Sequence, residues 1–455
     1  MTEKDSLKQY LDLFDEYREI FSSYGPNNFS MLRNLAYDKL KESTFPCYST
    51  EGYEKTSINK MFAPDLGINL NRLNVADGIN YTGCMSEMSN AVRIKVLNDR
   101  VVSIELPGKI EELPPQVSIR NFNDLNDSEA ELYKSMLERL FDKPHNETSL
   151  LNVLLGTDGL IIDVADDYDF SYPIQVIYYT GASQPLLSNR KLLVSIGKNS
   201  NLKLLLCDHS LSDLPFINVV NDLIIIEQQN FSNLEFVGIE ESNLKTSRIS
   251  NFYLSQSERC EATIHNMTLM NGNTRNNFYI ENNFPLSKVN IKGFAIGSQT
   301  SHIDNYTNII HNADCGKSNQ LFKYVLDNNS TGTFGGEIIV SENCRFNEAH
   351  QSNKNILVSA DARMYSKPQL LIYNDDVKCS HGCSTGQLDE NAIFYMQTRG
   401  VPRPEAVSML IQAFMSDIID GIGVAGLNER LRWLVERRLK GDNLLCMNCN
   451  KRNDA

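Results

Sequence analysis

The chain has 455 residues, with 43 basic and 57 acidic side chains and a formal net charge of −14 at pH 7. Binding to phosphates depends on Lys and Arg, so this balance argues against nucleic acid as a partner. The start lacks a signal pattern and no apolar run approaches the roughly 20 residues of a membrane span, so we expect a cytoplasmic protein without membrane contact. The ten cysteines are scattered, which is typical of reduced thiols rather than a secreted disulfide scaffold.

The first part of the chain, residues 1–145, is predicted to form a mostly helical N-terminal domain with one hairpin. Apolar side chains recur there at helical spacing, and alternating apolar residues flank an Asn-Asp turn. The predicted elements are a helix over 5–22, a helix over Met31–Lys41, a loop from Phe45 to Leu73, a hairpin over Val92–Leu106 and a helix over Glu129–Phe141.

From about Leu150 to Tyr373, short β-branched and apolar runs follow one another, separated by Asn, Gly, Ser and Asp. No proline lies between Pro215 and Pro285, so strand hydrogen bonds need not be interrupted there. Many short strands without intervening helices are compatible with a sandwich, a propeller or a β-solenoid. We read no fixed repeat period, but the Asn-rich turns favour the solenoid.

Helical periodicity returns after Cys383. Helices are predicted over Leu388–Arg399, Arg403–Ile422 and Leu427–Lys440, and the second of them carries a continuous apolar stripe. Residues 385–440 are therefore assigned to a C-terminal helical domain and residues 441–455 to a mobile tail. The tail contains Cys446 and Cys449, which supply only half of the four ligands that a structural zinc site needs.

Between these regions, Cys379, His381 and Cys383 stand at alternate positions. If Val377–Cys383 is extended, the three side chains share one face, because residues two apart on a strand point the same way. Thiolate and imidazole suit zinc and iron–sulfur centres. Three side chains on one straight strand do not converge on a single ion, so the sequence predicts an incomplete site that needs ligands from another chain.

The segment that holds these three residues also carries a family resemblance. It reads QSNKNILVSADARMYSKPQLLIYNDDVKCSHG from Gln351 to Gly382, and GQLDENAIFYMQTRGVP follows it. SHIDNYTNIIHNADCGKSNQLFKYVLD from Ser301 and SLLNVLLGTDGLIIDVADDYDFSYPIQVIYY from Ser149 fit the same pattern. Over roughly residues 92–422 the chain resembles the SufB/SufD family of the SUF iron–sulfur cluster assembly system.

Within that family, the string Cys379-Ser380-His381-Gly382 is similar to the SufD type, whereas SufB-type chains carry the form CEHEA at this position. Cys383 departs from the family string, which more often has alanine there. This cysteine is either an added ligand or an inert thiol.

The resemblance implies a mainly β fold, in which a right-handed parallel β-helix core at 146–384 is flanked by N-terminal and C-terminal helical domains. It implies a non-catalytic scaffold that pairs with a SufB paralogue, docks the SufC ATPase through the C-terminal helical domain and forms a possible homodimer in isolation. It also implies that His381, with Cys379 beside it, contributes to a transient iron–sulfur cluster at the SufB–SufD interface. Gly335–Gly336 is not followed by Gly-Lys-Ser/Thr, so we expect no nucleotide on this chain.

A competing interpretation is a β-solenoid carbohydrate-active enzyme that uses paired carboxylates. Asp375 and Asp376 are an acid pair, although turn residues at a strand end explain them equally well. The single tryptophan, Trp433, lies in a predicted C-terminal helix, away from any sugar-binding face of a solenoid.

Overall fold

The computed structural model describes residues 5–68, 70, 88–211 and 216–440. Its α-helices are α1 (Leu7–Glu16), α2 (Arg18–Ser22), α3 (Asn27–Lys41), α4 (Ile58–Met61), α5 (Asp127–Glu138), α6 (Glu147–Leu155), α7 (Glu390–Thr398), α8 (Arg403–Ile419) and α9 (Leu427–Leu439). Its strands are β1 (Val92–Leu97), β2 (Arg100–Glu105), β3 (Val117–Asn121), β4 (Leu160–Val164), β5 (Ile174–Thr180), β6 (Leu186–Ile196), β7 (Asn201–Ser210), β8 (Asn218–Gln228), β9 (Asn233–Glu241), β10 (Thr246–Gln256), β11 (Glu261–Met270), β12 (Asn273–Asn282), β13 (Lys288–Gly297), β14 (His302–His311), β15 (Lys317–Leu326), β16 (Thr331–Val340), β17 (Glu348–Leu357), β18 (Arg363–Ile372) and β19 (Lys378–Gly386).

The strands form two sheets that the chain visits alternately. The odd sheet has the order β19-β17-β15-β13-β11-β9-β7-β5-β1-β2, and the even sheet has the order β18-β16-β14-β12-β10-β8-β6-β4-β3. Every neighbouring pair from β4 to β19 is parallel, as is β1 with β5. The exceptions in the two sheets are β2, which pairs antiparallel with β1, and β3, which pairs antiparallel with β4. Each coil therefore stacks on the previous one, which confirms the mainly β, parallel solenoid fold. Its right-handedness stays a prediction.

Variable coil length explains why no repeat period can be read from the sequence. Ser247 stacks on Asn273, 26 residues further on, whereas Leu186 stacks on Asn218, 32 residues further on. Most of the variation lies in the turns, which tolerate insertions. The strands therefore stay in register from coil to coil, although the number of residues per coil changes.

The solenoid interior is apolar over most of its length, with rings such as Phe236, Phe252 and Phe278 stacked between coils. One layer is charged instead. Arg190 donates to Asp208 at 2.6 Å and to Asp222 at 2.6 Å, with all three side chains at most 8% exposed. Burial alone would raise the pKa of Asp208, but Arg190 and Arg248 outweigh it and hold that pKa below its usual range.

Helices cover both outer faces of the solenoid. The N-terminal helices, through residues such as Leu32 and Leu151, share one apolar cluster with outward residues of the even sheet such as Leu223 and Tyr253. On the odd sheet, Ile418 of α8 packs in a cluster with outward side chains of that sheet. The burial of one apolar face on each helix is what fixes these helices to the solenoid.

Several predicted local elements need correction. The helix expected over 5–22 is two helices, because the chain leaves helical geometry at Tyr17 (φ −114°, ψ 24°). The loop expected from Phe45 to Leu73 contains α4, which Ser57 caps by accepting from the Lys60 amide. The loop's last residues and the 441–455 tail, with Cys446 and Cys449, lie outside the described residues. The domain boundaries given above stay predictions.

Candidate functional site at the open end of the solenoid

The two ends of the solenoid are built differently. At the first end the edge strands β2 and β3 are short and antiparallel, and Leu106, Leu113 and Tyr172 pack against the apolar interior. At the other end the edge strands β18 and β19 are long and parallel to their inner neighbours. Neither has a strand on its outer side among the described residues. We call this second end, formed by β18 and β19, the open end.

The sequence-predicted ligands lie on the inner face of the open end. Cys379, His381 and Cys383 are in register with Ala349, Gln351 and Asn353 of β17, which are at most 3% exposed. Alternate residues of β17 thus face the interior, and the three ligands continue that row onto the last strand. Among the described residues no further coil lies above them, so His381 and Cys383 are exposed and Cys379 is half-buried. The predicted extended segment and the shared face are confirmed.

A polar layer lies directly beneath this row. Asn353 Oδ1 accepts from Ser366 Oγ at 3.0 Å and from Cys383 Sγ at 3.7 Å, and Asn355 donates to the Ser384 carbonyl at 3.2 Å. Gln351, next in register to His381, has a buried Oε1 with no hydrogen-bond partner among the described residues. The base of the open end therefore holds Asn353 and Asn355 where β15, one coil earlier, holds Phe322 and Tyr324.

Burial separates the two cysteines chemically. It raises the pKa of the Cys379 thiol, and a hydrogen bond with the backbone of Ala349 offsets only part of this increase. In the isolated chain Cys379 is therefore a thiol at neutral pH. It becomes a good metal ligand only when a metal displaces the proton or a neighbouring cation lowers the pKa.

The structure does not bring other candidates into this site. Asp375 and Asp376 lie in the exposed turn between β18 and β19, where the Asp376 carbonyl accepts from the Phe346 amide at 2.7 Å. Gly335 and Gly336 lie within β16, not in a phosphate-binding loop. Within the described ranges, no three His, Cys, Asp or Glu side chains are grouped so as to hold a metal ion.

Sequence reasoning missed the amide layer and most of β17. Residues 348–355 are polar, so the apolar pattern of the sequence predicts a strand only over Ile356–Val358, whereas β17 begins at Glu348. The signal was present as the alternation of Gln351, Asn353 and Asn355, which has the period of a strand. It was missed because polar residues were read as turn formers.

A second exposed feature lies on the C-terminal helices. Phe394 and Tyr395 of α7 are 68% and 60% exposed, and Met409 of α8 is 48% exposed. Trp433 lies on α9, as the sequence predicted, and is 36% exposed. We call Phe394, Tyr395 and Met409 the α7–α8 patch.

These features define a class of protein: a parallel β-solenoid with helices on both outer faces, one closed end, and one open end that displays thiol and imidazole groups. The profile of the SUF system FeS cluster assembly SufBD core domain matches residues 178–414, and that of the SufBD protein N-terminal region matches residues 4–176. The chain belongs to the SufBD family of the SUF iron–sulfur cluster assembly system.

Individual relatives agree with this assignment. An iron–sulfur cluster assembly SufBD family protein of Synechocystis is 25% identical over 72% of this chain and 74% of the relative. The SufD protein of Escherichia coli is 29% identical over 46% of this chain, and the match spans 50% of the relative. The SufD protein of Bacillus subtilis is 28% identical over 32% of each chain. Among the described residues, no helix is long and apolar enough to cross a membrane.

Proposed function

We propose that this chain is a SufD-type, non-catalytic scaffold subunit of the SUF assembly complex. The single observation that carries the proposal is the position of His381 and Cys379 on the inner face of β19. This edge strand pairs with β17 on one side and has no strand on its other side among the described residues. Side chains placed there are accessible only because the stack ends, so a second solenoid end would face them directly. The Cys-Ser-His-Gly string and the similarity to SufD proteins support the SufD type over the SufB type.

The partner at the open end is a SufB-type subunit. Unpaired strand edges present backbone N–H and C=O groups that favour pairing with another chain. The half-buried inner-row residues Met364, Leu370 and Ile372 of β18 add apolar area to the same surface. Association would cover both, and the partner would complete the ligand set for the nascent cluster.

The cluster is the cargo of this site, not a resident group. His381 supplies an imidazole nitrogen and Cys379 a thiolate, while the remaining ligands come from the partner. An imidazole among thiolates raises the cluster potential, as in histidine-ligated two-iron centres. Shared ligation across two chains also lets the cluster leave when the interface opens.

The SufC ATPase docks on the C-terminal helices through the α7–α8 patch. Another side of α8 packs against the odd sheet, where Lys323 Nζ forms an ion pair with Asp417 at 2.7 Å. The outward residues Phe394 and Tyr395 of α7 and Met409 of α8 are exposed and available to a partner. Nucleotide binding belongs to that ATPase in this scheme.

The test uses the complex co-expressed with its SufB-type and SufC-type partners under anaerobic conditions. His381→Ala should leave the complex assembled but lower its iron and acid-labile sulfide content, because the scaffold is intact and one ligand is missing. His350→Ala is the matched control: His350 is also exposed on the neighbouring strand, but on the outer row. Unchanged iron and sulfide in the His381 variant would remove this residue from the mechanism.

A further inference from the structure

A cavity of about 590 Å³ lies on the outer face of the even sheet, beside β18. Thr333 and Gly335 of β16 form its floor, Tyr306 stands at one side, and the segment 51–55 lies over it. A Cβ atom on Gly335 would come within 3.0 Å of the Tyr306 ring, so the glycine keeps the floor open. The volume is within the range typical of small-molecule sites.

Aromatic rings in this cavity already hold a guanidinium group. Arg275, which is 1% exposed, has its guanidinium carbon 4.1 Å from the ring centre of Tyr53 and 5.1 Å from that of Tyr306. Its Nη1 donates to Asp304 at 2.5 Å and to the Gly52 carbonyl at 2.9 Å. The electron-rich ring faces therefore favour cations at this surface.

The other basic groups of the lining are engaged as well. Lys55 Nζ lies 4.2 Å from the ring centre of Tyr365, and Lys367 Nζ lies 3.4 Å from Glu54 and 3.6 Å from Glu51. Burial and the charge of Arg275 lower the pKa of His145, so this side chain is neutral at neutral pH. Among the described residues, each charged basic side chain of the lining is thus already in contact with a carboxylate or an aromatic ring.

One carboxylate of the lining has no cationic partner. Glu337 Oε2 accepts from Asn308 at 2.6 Å and from Tyr306 at 3.2 Å, and Glu337 forms no ion pair within the described part of the chain. Asp304, which is 1% exposed, has its Oδ1 buried without a hydrogen-bond partner there. Four carboxylates therefore face three basic side chains in the cavity lining. The uncompensated charge is negative and lies beside aromatic rings.

We propose that this cavity binds a guanidinium or ammonium group, with Glu337 as its counter-ion and the Tyr306 ring as its platform. Two sources carry that chemistry: a free amine, or an Arg or Lys side chain of a partner protein. Strand β18, which supplies Tyr365 and Lys367, is also an edge strand of the open end. A partner at that end could thus reach the cavity; this second source depends on the function proposed above, but the first does not.

The experiment measures agmatine binding to the isolated full chain by calorimetry. The wild type should bind agmatine, and Glu337→Gln, which keeps the shape and removes the charge, should weaken binding about tenfold. Glu348→Gln is the matched control, because Glu348 lies on the other sheet and pairs with Lys317. Tyr306→Phe, which keeps the ring, should retain most of the affinity.

Titration in the presence of the SufB-type partner distinguishes the two sources. Displacement of agmatine by the partner identifies a partner side chain, and simultaneous binding identifies a free amine. Absence of agmatine binding to the wild type, or equal binding by the wild type and a folded Glu337→Gln variant, would overturn the proposal. Loss of iron and sulfide in the His381 variant is measured separately, so the two ideas can fail independently.

Discussion

The two ends of the solenoid solve the same problem in different ways. Any stack of coils leaves an exposed edge and an exposed interior at each end, and both favour aggregation unless they are covered. The first end is covered within the chain by short antiparallel strands and by Leu106 and Leu113. The open end keeps long parallel edges, β18 and β19, with polar and thiol side chains in the inner row. The partner proposed for the open end would cover there what the chain itself covers at the first end.

The largest expected effect lies in the charged layer of the middle coils. Arg190→Ala would remove one of the two guanidinium groups that pair with the buried Asp208 and Asp222 and leave only Arg248 beside them among the described residues, and it should lower the free energy of unfolding by about 3–5 kcal/mol. Denaturant unfolding at pH 7 measures it. Arg259→Ala, at an exposed turn, is the control and should change stability by at most about 0.5 kcal/mol.

The same layer predicts a pH dependence. Since the folded pKa of Asp208 is below its unfolded value, the carboxylate stabilises the wild type above the unfolded pKa, and this contribution is lost as the pH falls through the folded pKa. In Arg190→Ala only Arg248 is left to oppose burial, so the pKa of Asp208 is higher than in the wild type. The deficit of the variant should therefore shrink between pH 7 and pH 5. A deficit that is equal at both pH values would contradict the assignment of the effect to unpaired carboxylates.

A pair of apolar truncations sharpens the comparison between middle coils and open end. Phe278→Ala removes a 3% exposed ring from the middle of the interior and should cost about 3–5 kcal/mol. Met364→Ala, at the half-buried inner row of β18, should cost clearly less, because that row is partly hydrated in the isolated chain. Adding the SufB-type partner should increase the loss of stability caused by Met364→Ala but not the loss caused by Phe278→Ala. Equal costs without the partner would mean that the open end is as well packed as the middle.

Thiol reactivity gives a smaller and more local test. Cys383, which is exposed, should react with iodoacetamide faster at pH 7 than Cys379, which is half-buried and whose pKa burial raises. Peptide mass spectrometry after timed quenching measures both rates. Buried Cys207 and Cys260 are internal controls that should stay unmodified in the folded protein. Protection of Cys379 and Cys383 on addition of the partner would place both inside the interface.

The smallest effect on stability is expected at the α7–α8 patch. Phe394→Ala with Tyr395→Ala should change the free energy of unfolding by at most about 0.5 kcal/mol, since both rings are exposed. Co-purification of the SufC-type ATPase should nevertheless fall strongly. Phe346→Ala, a 64% exposed ring at the solenoid corner, is the matched control and should leave co-purification intact. Full retention of the ATPase by the double variant would move its docking site elsewhere.

Much of this could be predicted from local patterns. The apolar runs after Leu150 and the stripe of α8 predicted their strands and helix, because burial of one face imposes a period on the sequence. The alternate spacing of Cys379, His381 and Cys383 predicted a shared face for the same reason. Residues 348–355 were missed because their inward side chains are amides that hydrogen-bond to one another, as Asn355 does to Asn353, and such residues give no apolar pattern in the sequence.

The sequence by itself determined most of the strands and helices and which three ligand residues point the same way, because these follow from neighbours along the chain. Only the tertiary structure decided that the three ligands lie on the last coil and that its outer edge has no strand beside it in the described residues. It also decided that Glu337 shares a cavity with the segment 51–55, nearly 300 residues away in the sequence. These properties depend on what stacks above and beside each strand, and no local spacing encodes that.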